Sequence, residues 1–577
     1  MTMIRGLAVA LCLAALSSAA TAQDQPEQTY ALKPSARAEA QSFMVAAAHP
    51  AAVEVARAIL ARGGSAADAA VAVQIMLTLV EPQSSGLGGG TFLLYWDASA
   101  RALTTLDGRE TAPAAATPAY WLGPDGTPLR FFEAVPGGKS VGVPGTLALL
   151  AAVHLAHGRL PWAELLAPTI ALAEEGFPIS PRLAASIAGA QERGLMLFEP
   201  TRSYFFDPDG APLRAGTLLR NPELARSLRL IADRGAEPFY DGVIAGDLLA
   251  TVRDAPMNPS PMTAQDLASY AVLERAPVCV PYRAYEICGM GPPSSGGLTV
   301  GQILMLLEPF DLAGLGDTAE AWHLFAEAAK LAFADRGLYM ADADYVAVPG
   351  TLTDPAYMAE RSRLIDPQAV MEKARPGSPP WREGLLRAPD LQPERAGTTH
   401  FVIVDRYGDM ASVTSSIETG FGSRLMVGGF LLNNELTDFS FRPARDGQPI
   451  ANRVEAGKRP RSSMAPTIVL QDGRPVLLIG SPGGSRIIPY VAANLIRILD
   501  FGIDPAEALG AGHIVNRGGT TELEEGSSAL RFEAGLAALG HEITLRNLNS
   551  GLHVIQISPD GLIGAADPRR EGDVAGQ

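Results

Sequence analysis

The hydrophobic pattern of the chain changes at residue 398, from helical periodicity before it to a β-rich pattern after it, so the chain has two halves of different character. Residues from about 40 to 390 are rich in Ala and Leu at helical spacing. Ala51 to Leu60 reads as a helix ended by Gly63-Gly64, and Ser65 is placed to cap a second helix, Ala66 to Leu79, with Asp68 in its first turn. Leu147 to His157 and Ala319 to Asp335 carry the same pattern. Residues 367–397 have no period; Pro376, Pro379, Pro380, Pro389 and Pro393 sit among charges, and the segment reads as an exposed linker. From Thr398 onward the pattern is β-rich. With 577 residues, 47% of them hydrophobic and 19% charged, the chain is long and apolar enough for a large core. A net charge of −16 argues against nucleic acid as a partner, because phosphate binding needs clustered Lys and Arg.

Residues 1–22 read as a signal peptide, with Arg5, the apolar run Gly6 to Leu16 and the small-x-small site Ala20-Thr21-Ala22. Eleven apolar residues are too few to span a bilayer, so a soluble exported protein is expected. It would be periplasmic in a Gram-negative source and extracellular otherwise. Cys279 and Cys288 flank VPYRAYEI, a segment able to turn back as a hairpin; a disulfide and two buried free thiols both fit. No Cys/His cluster has zinc spacing, the pair His154 and His157 makes no metal site, and no metal is expected. Gly138-Lys139-Ser140-Val141-Gly142 fits a serine-hydrolase elbow, but Pro136 and Pro144 bracket it and favour a loop.

The segment after the linker reads TTHFVIVDRYGDMASVTSSIE. Phe401 to Val404 is a strand, Asp405 to Asp409 a turn with Gly408 free to take positive φ, and Met410 to Ile417 a second strand. With Arg406-Tyr407-Gly408 as the loop, Thr398 falls opposite Ser416, so two hydroxyls meet at the open end of the hairpin. A Thr hydroxyl is a weak nucleophile without a base. Scission before Thr398 would create that base, an α-amine with an unperturbed pKa near 8. Gly397 has no side chain to obstruct attack on its carbonyl. Taken alone, the segment also reads as an ordinary strand start.

A second hairpin, Pro466 to Leu470 and Pro475 to Ile479, runs into Gly480-Ser481-Pro482-Gly483-Gly484-Ser485 and then an apolar helix, Arg486 to Leu499. Such a turn presents bare backbone N–H groups at a helix start, suited to an anion or a developing oxyanion, and it serves equally as a tight packing turn. No Lys follows the glycines, so it is not a P-loop.

Together these segments resemble the gamma-glutamyltransferase (glutathione hydrolase) family of N-terminal-nucleophile hydrolases. The resemblance rests on GGSAADAAVAVQ (63–74), EPQSSGLGGGTF (81–92), DGRETAP (107–113), VGVPGT (141–146), GPPSSGG (291–297) and FADRGLYMAD (333–342). Further matches are TTH (398–400), LLNNELTDFS (431–440), KRPRSSMAPT (458–467) and GSPGGSRI (480–487). It implies an α+β, four-layer αββα fold made by two chains of one self-cleaved precursor. The cut would fall at Gly397-Thr398, giving a large subunit of residues 23–397 and a small one of residues 398–577. It implies Thr398 as nucleophile, Ser416 as its supporting hydroxyl, and the N–H groups of Gly483 and Gly484 as oxyanion hole. The implied substrates are glutathione and other γ-glutamyl compounds, with water, an amino acid or a peptide as acceptor, and no cofactor is implied.

The resemblance also implies that Arg109, Ser462 and Ser463 bind the donor α-carboxylate and that Glu435 and Asp438 hold its α-ammonium, two poles about a zwitterionic head. The plain alternative for Arg109 is a surface ion pair with Asp107 or Glu110. The chain departs from the family pattern in two places. Glu418 stands where well-known members have Asn, adding a carboxylate at the ammonium pole. Residues 439–461 carry no Tyr or Trp, so an aromatic gate over the site is not expected there. Two other readings remain: a cephalosporin (glutaryl) acylase-type amidohydrolase of the same fold, and a non-catalytic periplasmic amino-acid-binding protein.

Overall fold

Alternation along the strand Met44–Ala47 shows how the layers form: Met44 and Ala46 point into one apolar core, Val45 and Ala47 into another. The computed structural model describes residue 29 and residues 34–381, 386–392 and 397–577; the proposed signal peptide lies outside the described residues. Two seven-stranded sheets stand at the centre. The first contains Met44–Ala47, Gly90–Asp97, Ala102–Gly108, Thr398–Val404 and Met410–Ser416. The second contains Tyr285–Gly289, Thr467–Gln471, Arg474–Gly480, His553–Ser558 and Gly561–Ala566.

Because side chains alternate, Phe401 and Ile403 face a helical layer while Val402 and Val404 face the second sheet. The helical layer contains Pro50–Ala61, Ala66–Val80 and Thr146–His157. Beyond the second sheet lie Gly296–Leu307, Ala319–Tyr339 and Ile487–Leu499. Helix, sheet, sheet, helix is the expected αββα order, in an α+β chain. Every residue of Ala66–Val80 is buried, and its start is fixed by a capping box between Ser65 and Asp68. Among the described residues no helix is long and apolar enough to cross a membrane.

The hairpin register is the one read from the sequence: Thr398 pairs with Ser416 and Val404 with Met410. Gly408 in the turn has φ +87°, and Gly408 N–H donates to Asp405 O at 3.2 Å. Cys279 and Cys288 are cross-strand partners and form a disulfide, resolving the alternative left open by the sequence. Ser140 donates to Val135 O and Gly137 O within a buried turn of 3₁₀ helix, so the G-x-S-x-G match is a structural loop.

The Pro-rich segment is less exposed than its composition suggests. Leu386 and Leu391 face solvent, but Ala388, Asp390 and Gly397 are buried. Ala388 N–H donates to Pro449 O, Asp390 N–H to Gly337 O, and Gly377 N–H to an Asp335 carboxylate oxygen. A proline-rich stretch still carries backbone donors, and here they find acceptors on the body of the protein.

Candidate active site

Thr398 and Ser416 meet at the hairpin mouth because the register puts them opposite each other, both buried. Thr398 Oγ1 donates to Ser416 Oγ at 3.4 Å, and Ser416 Oγ donates to the carbonyl oxygen of Gly397 at 3.0 Å. The N–H of Glu418 donates to Ser416 Oγ at 2.8 Å, fixing the hydroxyl from behind. One serine thus touches both the candidate nucleophile and the bond expected to break. Gly397 is enclosed: a Cβ there would lie 1.8 Å from Glu418 O. Glu418 itself has φ +74°, a left-handed conformation that a Glu rarely takes and that recurs at functional sites.

The floor of the site comes from EPQSSG. Ile417 N–H donates to Ser84 O, and Phe421 N–H to Gln83 O. The Gly-rich turn leaves the second sheet at Gly480, where a Cβ would lie 2.3 Å from the His400 ring, two residues along the strand from Thr398. Gly483 and Gly484 have φ of +139° and +59°, and a 3₁₀ turn, Gly484–Arg486, leads into Ile487–Leu499. Positive φ at both positions is why glycine is needed there.

Arg109 is buried, not a surface residue. Its guanidinium pairs with Glu435 and with Asp438 (2.5 Å), and it donates to Pro460 O and Arg461 O, both at 3.2 Å. The two poles expected on either side of a ligand therefore touch each other. Burial opposes the Arg109 charge, and Glu435, Asp438 and Glu110 outweigh it, so the guanidinium stays charged. Ser462 and Ser463 follow directly: Ser462 N–H donates to Pro293 O, and Ser463 Oγ accepts from Arg336 at 2.7 Å. Carboxylate oxygens of Glu418, Glu435 and Asp438 lie within 4.8 Å of one another, so Glu418 does join the acidic pole. Arg109 thus lies in a buried cluster of opposite charge, paired directly with two of these three carboxylates.

Residues 439–461 carry no Tyr or Trp, and within them Phe441 stacks on Trp121 at 4.9 Å between ring centroids. The sequence offered Glu110 only as a surface ion-pair partner of Arg109. Its carboxyl is wholly buried, 3.9 Å from Arg109, and burial followed by the Glu435 charge raises its pKa well above the usual range. It was visible in DGRETAP but had no spacing signal of its own. Arg570, which donates to Thr398 O at 2.9 Å, lies 172 residues away in the chain and had no local signal at all.

A sequence profile of the gamma-glutamyltranspeptidase family matches residues 52–577. A glutathione hydrolase proenzyme of Bacillus subtilis (strain 168) is 37% identical over 92% of this chain and 91% of its own length. The glutathione hydrolase proenzyme of Escherichia coli (strain K12) is 36% identical over 99% of both chains. Among solved structures, a cephalosporin acylase from Bacillus halodurans superposes with a TM-score of 0.81 at 28% identity, covering 94% of this chain and 97% of that one. Profile, relatives and fold converge: the chain belongs to the gamma-glutamyltranspeptidase family.

Proposed function

We propose that the chain is a self-processing γ-glutamyl hydrolase and transferase with Thr398 as its nucleophile. The observation that carries this is Ser416 Oγ, bonded at once to Thr398 Oγ1 and to Gly397 O. In the first reaction Thr398 Oγ1 attacks the Gly397 carbonyl carbon, and Ser416 stabilises the oxygen as it gains charge. The Gly397–Thr398 C–N bond breaks, and the nitrogen takes the proton. Water then hydrolyses the ester, leaving a Gly397 carboxylate and a free Thr398 α-amine. Residues 23–397 and 398–577 remain together as a heterodimer of 375 and 180 residues (397 − 22 and 577 − 397).

The freed amine is the base for the second reaction. It takes the proton from Thr398 Oγ1 as the oxygen attacks the γ-glutamyl carbonyl of glutathione. The N–H groups of Gly483 and Gly484 receive the oxyanion, and the protonated amine gives its proton to the departing peptide amine. Water or an amino-acid acceptor then displaces the glutamyl group. Arg109, Ser462 and Ser463 hold the donor carboxylate, and Glu418, Glu435 and Asp438 its ammonium. Base and nucleophile belong to one residue, so the reaction requires no metal or organic cofactor. The leader-like sequence of residues 1–22 supports export, to the periplasm in a Gram-negative source and to the exterior otherwise.

The likeness to a cephalosporin acylase supports a second reading, hydrolysis of glutaryl amides, whose acyl group lacks the ammonium. One preparation tests both. Denaturing electrophoresis should give two bands, the smaller beginning at Thr398, and γ-glutamyl-p-nitroanilide should be cleaved far faster than glutaryl-7-aminocephalosporanic acid. A fully active, uncut chain would refute the processing mechanism, and the reverse preference would select the acylase.

A further inference from the structure

Arg570 lies beside the nucleophile but belongs to none of the motifs that identify the family. Its Nη1 donates to Thr398 O at 2.9 Å, and its Nε donates to Asn549 Oδ1 at 2.9 Å. A Glu81 carboxylate oxygen stands 3.6 Å from the same Nη1 and also pairs with Arg182 at 2.5 Å. The stem runs past Gly551, where a Cβ would lie 2.7 Å from Arg570 Cδ and 2.8 Å from Pro482 of the Gly-rich turn. Arg570 is 5% exposed. Arg570 thus links the Thr398 carbonyl to Glu81, and Glu81 in turn to Arg182, whose guanidinium also donates to Ser84 Oγ.

Scission on the amino side of Thr398 leaves this carbonyl bond intact. The Thr398 nitrogen lies roughly 3 Å from its own carbonyl oxygen by covalent geometry. The guanidinium therefore sits within about 6 Å of the amine that scission creates, and a like charge at that range disfavours protonation. We propose that Arg570 is a positioning residue for Thr398, fixing its carbonyl and keeping its α-amine unprotonated at neutral pH, with Glu81 moderating the effect. This rests on the reading of Thr398 as nucleophile and base.

Other charged groups surround this part of the site. Glu418 follows the partner strand and Arg182 pairs with Glu81, while Arg182 N–H holds Glu571. Asp567 and His553 lie on the segments around Arg570, and His400 is on the Thr398 strand. His400, His553 and His49 are all shifted down by burial, so none of them titrates at the pH where an α-amine does. A guanidinium, which does not lose its proton in this range, is the fixed positive charge.

The test is the pH profile of kcat/KM for γ-glutamyl-p-nitroanilide, measured on mature two-chain enzyme. Arg570→Gln should move the acidic limb up by about one pH unit, roughly a tenfold loss at pH 6.5, with KM little changed. Arg570→Lys should restore most of the profile. Glu81→Gln should move the limb the opposite way, which a purely structural defect would not do. Should Arg570→Gln fail to mature, Glu81→Gln and Gly551→Ala, which displaces the Arg570 stem, carry the same readout. An unmoved acidic limb in every maturing variant overturns the proposal. Activity in Thr398→Ala would instead overturn the nucleophile assignment beneath it.

Discussion

Thr398 and Ser416 form the terminal cross-strand pair of their hairpin, with hydroxyl oxygens 3.4 Å apart and the Gly397 carbonyl within reach of the second. Removing the first hydroxyl should stop both reactions. Thr398→Ala is expected to yield a single full-length, inactive band on denaturing electrophoresis. Thr398→Ser keeps a hydroxyl and should process slowly, the lost methyl freeing the side chain to leave its reactive rotamer. Two bands from the alanine variant would remove Thr398 from the scission step.

Gly397 makes a separate demand on the same step. A Cβ at 1.8 Å from Glu418 O cannot be accommodated without moving the backbone that positions Ser416 Oγ. Gly397→Ala should therefore fold and process at least about tenfold more slowly, since an error of an ångström in a reacting geometry costs roughly 10²-fold. The half-time of conversion after purification measures it; an unchanged half-time would show that this contact yields freely.

The parts of the site that were legible in the sequence are local. Thr398, Ser416 and Gly408 sit within one hairpin whose register follows from loop length and alternation. Ser65 and Asp68 announced a helix start through a four-residue pattern. The Arg109 to Glu435 contact spans 326 residues and came only through resemblance to a family. Resemblance identified the two poles but not their direct pairing, which depends on how the sheet and the 435–438 turn pack. The Pro-rich segment misled because composition reports solvation of side chains, while Ala388 and Asp390 are tied down through their backbone. The burial of Glu110 and the contact of Arg570 with Thr398 depend on long-range packing that no local pattern announces.

Arg109 separates substrate binding from chemistry. Its charge holds the donor carboxylate in the proposed mechanism, and a charge-assisted hydrogen bond contributes about 1.5–3 kcal/mol. Arg109→Gln should raise KM for γ-glutamyl-p-nitroanilide roughly 10- to 100-fold while processing to two chains continues. Glutaryl donors carry the same carboxylate and should suffer equally. An unchanged KM for both donors would place the carboxylate elsewhere.

Glu418 should act on the other pole only. Asn tolerates the φ of +74° found there better than Glu does, so Glu418→Asn is expected to fold and process. Removing one of three clustered carboxylates weakens the hold on an ammonium and leaves a glutaryl group unaffected. The ratio of kcat/KM for γ-glutamyl over glutaryl donor should fall by about tenfold, one charge-assisted contact. A ratio that rises, or stays fixed, would show that the Glu418 side chain does not face the donor ammonium.

The core beneath the nucleophile predicts a pH dependence of stability. His400 and His553 stack with ring centroids 6.4 Å apart, both fully buried. Burial is the main cause of their lowered pKa values, with that of His553 pushed down to about 4. In the unfolded chain each would titrate near 6.5, so between pH 6.5 and 4 the unfolded state binds more protons. Stability is therefore complete above pH 6.5 and is lost on acidification through that window. His553 alone should contribute a loss of about 2 kcal/mol between pH 7 and pH 5. Urea titrations of the Thr398→Ala chain, which stays a single polypeptide, measure this directly. His553→Gln has no proton to gain and should flatten the pH dependence of the urea midpoint. If the midpoint of the His553→Gln, Thr398→Ala chain falls with acid as steeply as that of its parent, His553 is not among the groups that protonate on unfolding.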